Sequence, residues 1–348
     1  LAVGHGVPWS GADSAGSVVR DEPKVAAIAF EVTMTKRRVL VITIVSLFCA
    51  STVNAATPSL PRVRIVYSSI SSIFAGLWVA KDTGAFEKYG VRGELLYIGS
   101  GSVAVQAMMG GEVEVVAGAG NAVIAATLQG APLVSVGSVA NLAAMTLWVQ
   151  PEIRRPEQLQ GKTLGISRHG STTHYLTLVA LEKIGLKDKV KLQALGGAPE
   201  TDASFRAGMI AGAVRSVKPD PKAHGLADLA ELKIPFPMDL FAVNRDYYKN
   251  SQKLVEGMLR AYSDGVATIK RRKPIAVEII RKYLRKTDVE DSYEYAAKYL
   301  ERVPKVDPVS IQTVLAWENK SDIAPSKFYD NTILDRLVQE GFFDGLYK

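Results

Sequence analysis

Small residues, serine and glycine above all, crowd a few places in this chain, each just after an apolar, β-rich stretch. Ser68, Ser69, Ser71 and Ser72 form one cluster, and Ser100-Gly101-Ser102 a second. Gly120-Asn121 marks a third, Gly170-Ser171-Thr172-Thr173 a fourth and Gly196-Gly197 a fifth. A helix amino terminus carries unpaired N–H groups and the positive end of the helix dipole. Glycine lets the backbone approach a ligand, and serine or threonine adds a hydroxyl donor. Such turns can grip an anion without a formal positive charge. Any one of them also reads as ordinary helix capping; their recurrence points to ligand binding. The candidate ligand-binding residues are Ser69, Ser72, Ser100, Gly101, Ser102, Asn121, Ser171, Thr172 and Thr173. Arg215 and Lys218, with Arg168 nearby, could pair with an acidic ligand or simply point into water. Tyr67, Trp148 and Tyr175 could supply an apolar wall or pack in the core.

Several chemistries find no support. His169 and His174 are out of phase for one helical face, so no metal site is expected. No carboxylate pair suggests acid–base catalysis, and no serine elbow, phosphate-binding P-loop or zinc-protease motif occurs. The charge of +7 is spread out, and basic stripes interleaved with aromatics are missing, which argues against a nucleic-acid partner. No catalytic residue and no cofactor is expected.

The elements that must position these turns repeat. One copy runs through apolar or amphipathic stretches at 63–67, 73–89, 94–98, 103–109 and 113–119; a second runs through 162–167, 174–184, 190–195, 203–209 and 211–217. Corresponding strands keep a nearly constant offset. Two tandem β-α-β-α-β units predict two similar α/β lobes with a cleft between them, and a cleft between lobes is where a small ligand binds. Strands at 146–149 and 238–243 are expected to cross between the lobes. Beyond Asn244 the pattern turns to helices at 250–270, 275–284, 292–300, 308–317 and 331–340, expected to pack back on the first lobe and around the hinge.

Residues 1–33 show no periodicity and read as an upstream extension foreign to the natural start. Met34-Thr35-Lys36-Arg37-Arg38, an apolar run at 39–50 and Val53-Asn54-Ala55 form a signal-peptide pattern over 34–55, with cleavage expected after about Ala55. The single cysteine, Cys49, falls inside it. The mature chain would then lack disulfides and thiolates, as fits an exported bacterial protein held in the periplasm.

Three stretches carry a resemblance: residues 76–90, from Gly76-Leu77-Trp78 to Lys88-Tyr89-Gly90; Gly99-Ser100-Gly101-Ser102 through Gly110-Gly111-Glu112-Val113-Glu114-Val115; and Leu159-Gln160-Gly161-Lys162-Thr163-Leu164-Gly165 with Gly170-Ser171-Thr172-Thr173-His174-Tyr175. From about Val63 onward the chain resembles the periplasmic solute-binding proteins of ABC importers for nitrate, taurine and aliphatic sulfonates. The resemblance implies an α/β, type II periplasmic-binding-protein fold: two α/β lobes joined by a two-strand hinge, with a helical C-terminal tail. Lobe one would begin at 56–146, lobe two would span 147–240, and 241–348 would return to complete lobe one. It also implies a monomer that captures a small-molecule ligand, an anion above all, by hinge closure and delivers it to an inner-membrane ABC permease. Family ligand contacts map onto Ser69, Ser72, Ser100, Ser102, Ser171 and Thr172. Two departures stand out: Ala211-Gly212-Ala213 where the family carries an acidic residue, and Arg215 and Lys218 before Pro219 where it is apolar. Two alternatives stay open. One is an enzyme on the same fold, such as the related pyrimidine-precursor synthases, whose cysteine-rich motif the mature chain would lack. The other is a ligand-sensing module for a signalling partner.

Overall fold

The computed structural model describes residues 59–348. The extension, the signal-peptide pattern and Cys49 lie outside the described residues. Among the described residues, ten strands form two five-stranded sheets. The first holds β1 (Arg62–Tyr67), β2 (Arg92–Tyr97), β3 (Val115–Ala119), β4 (Leu133–Leu142) and the late strand Pro235–Asn244, in the order β2-β1-β3-late-β4. The second holds β5 (Thr146–Val149), β6 (Thr163–Ile166), β7 (Lys191–Ala194), β8 (Gly212–Arg215) and β9 (His224–Asp228), in the order β7-β6-β8-β5-β9. The late strand is β10. Three adjacent strands at one side of each sheet, β2-β1-β3 and β7-β6-β8, are parallel: Ile65 lies between Leu95 and Val115, and Leu164 between Leu192 and Gly212. The repeat read from the sequence is therefore a repeat in space.

Each sheet also takes one antiparallel strand, β10 in the first and β5 in the second. The crossings between sheets are short segments, 143–145 and 229–234, tied together by Ala143 N–H to Ile234 O (3.0 Å) and Leu229 N–H to Met145 O (2.9 Å). This corrects the expected hinge. The stretches at 146–149 and 238–243 do not bridge the lobes; each lies wholly inside one sheet. The second sheet ends at Asp228, and the strand that reaches past residue 240 already belongs to the first.

Burial explains the strand compositions. β3 is buried along its whole length because helices cover both faces of its sheet, so alternation gives way to Val-Val-Ala-Gly-Ala. The long helix expected at 73–89 is broken. A helix at Ala75–Asp82 stops at Thr83, and a short one at Ala85–Lys88 follows Gly84, whose φ of 73° no continuing helix adopts. The tail covers the first lobe as expected. The helix Gln252–Arg271 lies so close to Ala75–Asp82 that a Cβ on Gly265 would sit 2.2 Å from the Gly76 carbonyl oxygen. Trp78 stacks on Tyr283 of the tail with ring centroids 5.0 Å apart. Tyr295 donates to Ala144 O at 2.7 Å, so the tail also braces a hinge segment. Gly341 ends the helix Thr332–Gln339 at φ 70°, but a further helix, Phe342–Leu346, follows that the sequence pattern did not announce. No helix among the described residues is long and apolar enough to cross a membrane.

Candidate functional site

The carboxyl ends of β1, β2, β6, β7 and β8 converge on a cavity of about 50 Å³ between the two sheets. Open α/β sheets bind ligands at this end of their strands. Ser68 and Ser69 enter it from the turn after β1, and Gly99 and Gly101 from the turn after β2. Lobe two contributes Ser167, Ser171, Thr172 and Thr173 after β6, Gly197 and Ala198 after β7, and Arg215 and Ser216 at the end of β8. The repeat thus brings its equivalent turns face to face.

Three helices start at this cavity: Gly101–Met109, Thr172–Lys183 and Ala198–Arg206. Their first-turn N–H groups have no acceptor within the helix. The helix at Gly101 sits directly on β3, since a Cβ there would fall 1.9 Å from Ala119 Cβ.

The lobes touch across the cleft. Ser71 Oγ and Ser216 Oγ share a hydrogen bond of 2.8 Å. Asn121 donates to Gly170 O at 2.9 Å and accepts from Thr172 Oγ1 at 3.2 Å. Thr172 Oγ1 also approaches Met238 O at 3.4 Å. A Cβ on Gly197 would meet the Tyr97 hydroxyl at 2.3 Å, so these opposing turns are close as well. This is a closed arrangement of the cleft.

Several expected hydroxyl donors already have partners. Ser171 Oγ donates to Arg168 O (2.7 Å) and accepts from His174 N–H and Ser167 Oγ, and Thr173 Oγ1 accepts from Ser167 N–H (2.9 Å). They build the turn, which leaves its backbone amides as donors for a ligand. Ser100 and Ser102 bond each other at 3.0 Å and do not line the cavity. Asn121 bridges the lobes without lining the cavity. Ser72 is buried beside it with no hydroxyl partner among the described residues. Ser72 instead lines an adjoining hollow of about 370 Å³ with Arg206, Arg285 and Lys286, which makes the outer cleft basic. Lys218 is exposed, its ammonium 5.6 Å from the Trp148 ring centroid, and lies off the cavity lining. Of the aromatics read as either wall or core, Tyr67 packs against Phe74 and Trp78, and Tyr175 against Phe236 and Trp317.

The charged groups follow a different plan from the one read in the sequence. Arg215 lines the cavity, but its guanidinium is held by Asp202 through bonds of 2.9 and 3.2 Å, both side chains being buried. Asp239 lines the cavity too. Its one hydrogen bond among the described residues comes from Ala119 N–H at 3.3 Å, and burial pushes its carboxyl up to about 8. Sequence reasoning made neither carboxylate a site candidate. The signal for Asp239 was present: an acid amid the apolar run Met238–Val243 needs a reason to be buried. His169 and His174 meet edge to face at 5.0 Å outside the cavity lining, with His174 Nδ1 accepting from Gly170 N–H.

No curated protein matches the chain by sequence. Its fold matches many solved structures. The ligand-binding component of an ABC-type import system from Staphylococcus aureus superposes with a TM-score of 0.66 at 13% identity, over 79% of this chain and 98% of that one. The alkanesulfonate-binding protein SsuA from Xanthomonas axonopodis pv. citri gives 0.63 at 18% identity, over 79% and 96%. The desulfurization enzyme DSZB gives 0.57 at 15% identity, over 80% and 99%. At these identities the likeness establishes the fold, that of the periplasmic binding proteins with its helical C-terminal region. A sequence profile described as NMT1/THI5 like matches residues 71–272, more than half of the chain. On that match, the chain belongs to the NMT1/THI5-like family.

Proposed function

We propose that this protein is the extracytoplasmic solute-binding component of an ABC importer, capturing a small acidic solute (a sulfonate, nitrate or a carboxylate) by hinge closure. The observation that carries this reading is the cavity sealed between lobes at three helix amino termini. Amides of Gly101, Thr172, Thr173 and Ala198, with the hydroxyl of Ser69, grip the acidic group. The basic outer hollow steers it inward. Bonds such as Ser71–Ser216 and Asn121–Gly170 form only when the lobes meet. A solute that touches both lobes therefore favours the closed state, which a permease can distinguish from the open one. The signal-peptide pattern supports export to the periplasm, where the monomeric protein meets its membrane partner.

The fold also hosts an enzyme, as DSZB is described. The cavity lining here holds neither histidine nor cysteine, and its one carboxyl, that of Asp239, keeps its proton up to about pH 8, which makes it a poor base for the serines at neutral pH. That supports binding without catalysis.

A thermal-shift panel of taurine, ethanesulfonate, nitrate, benzoate and uncharged analogues tests the proposal. A solute at a hundredfold its Kd adds about 2.7 kcal/mol, which raises Tm by about 4 °C for a chain of this size. The expected result is such a shift with an acidic member. Shifts confined to uncharged members would overturn the anion reading.

A further inference from the structure

Among the described residues, Asp239 is the one acidic group in the cavity lining, and no cation faces it there. Arg215, the cavity's only cation among the described residues, is engaged by Asp202. The backbone around Asp239 is arranged at some cost. The pairing of β10 with β4 shifts register on both sides of it, between Pro235 and Asp239 and again between Asp239 and Leu240. Such bulges re-aim side chains beside functional sites. On the neighbouring strand, Ala119 stands at φ 45° and ψ 52°, a left-handed conformation alanine seldom adopts. From there its N–H reaches Asp239 Oδ1. The following residue, Gly120, would place a Cβ 1.8 Å from the Pro237 carbonyl oxygen, so β10 and β3 are pressed together at this point. Strain of this kind persists where the surrounding structure enforces it, and it gathers at ligand sites.

Burying a lone carboxyl is unfavourable unless something pairs with it. We infer that Asp239 is a specificity-determining residue that receives an ammonium group, so that the solute is a small zwitterion carrying both an amine and an acid. This rests on the solute-binding reading above and narrows it. The ammonium meets Asp239 in the cavity and favours its ionised form, the carboxyl proton passing to solvent on binding, while the acid meets the helix amides around it. A simple anion leaves Asp239 unpaired and gains nothing from it.

Calorimetric titration of the full chain at pH 7 with matched pairs tests the inference: taurine against ethanesulfonate, and β-alanine against propionate. The wild-type protein is expected to bind an amine-bearing member roughly tenfold or more tighter than its partner, as a charge-assisted hydrogen bond implies. Asp239→Asn is expected to bring that ratio close to one while the amine-free member keeps its affinity. Equal or weaker binding of the amine-bearing members by wild type overturns the inference and leaves anion capture standing. This arm needs no variant, so a folding defect cannot obscure it. A ratio that survives intact in Asp239→Asn also overturns it. Failure of every member of both pairs to bind overturns it together with the anion reading beneath it.

Discussion

Asp202→Ala is expected to cost the folded state about 3–5 kcal/mol, read as a loss of stability in urea unfolding at neutral pH. The reason is geometric. Arg215 ends β8 and Asp202 lies on the helix Ala198–Arg206, so strand and helix are joined by a two-bond pair whose side chains are only 8% and 10% exposed. Removing the carboxylate leaves a guanidinium that water cannot fully solvate. The double variant Asp202→Ala with Arg215→Met should recover much of the loss, because taking out both charges removes the unpaired one. Sulfate should restore part of the stability of the single variant by occupying the freed guanidinium, and should do little for the double variant. A loss below about 1 kcal/mol would place the pair in the range of solvated surface bridges.

The second large effect concerns pH. In the folded chain the Asp239 carboxyl keeps its proton up to about pH 8, whereas an unfolded aspartic acid loses it near pH 3.9. Between these values folding takes up a proton. Stability from this group is therefore greatest below about pH 4, declines as pH rises toward 8 and levels off above it. The full span corresponds to up to about 5 kcal/mol. Asp239→Asn removes the titration. Scanning calorimetry should show the variant gaining on the wild type as pH rises, with Tm ahead by roughly 10 °C at pH 9 and the gap narrowing steadily toward pH 5. Parallel Tm curves for the two proteins would show that the carboxyl is not the buried group described here.

How far could the sequence be read? The repeat was legible because paired strands and turns recur at a fixed offset, and the structure sets Ser69, Gly101, Ser171, Thr172 and Thr173 around one cavity as that repeat requires. The helical tail was legible from apolar spacing alone. What escaped was anything decided by contacts between distant residues. Asp202 and Arg215 meet only because a helix folds over a strand end, so Arg215 looked free to hold a ligand. Asn121 looked like a ligand-binding residue at a turn, yet its amide reaches across to the opposite lobe. The hinge was misplaced because strands at 146–149 and 235–244 are apolar whether they bridge two sheets or complete one. Apolar content reports burial, not partnership. Lys218 lies two residues beyond the cavity residue Ser216, but the bend at 216–217 carries it round to Trp148 and out to solvent.

The central claim is that two lobes close on a small solute. Electron–electron distance measurement between spin labels at Glu112→Cys in lobe one and Lys187→Cys in lobe two tests it most directly, both sites being exposed and Cys49 being replaced by serine. Without solute, a broad distribution extending to long distances is expected. Taurine, or whichever acidic compound gives the largest thermal shift, should collapse it to one narrow, shorter distance. A compound that binds while leaving the distribution unchanged would contradict hinge closure.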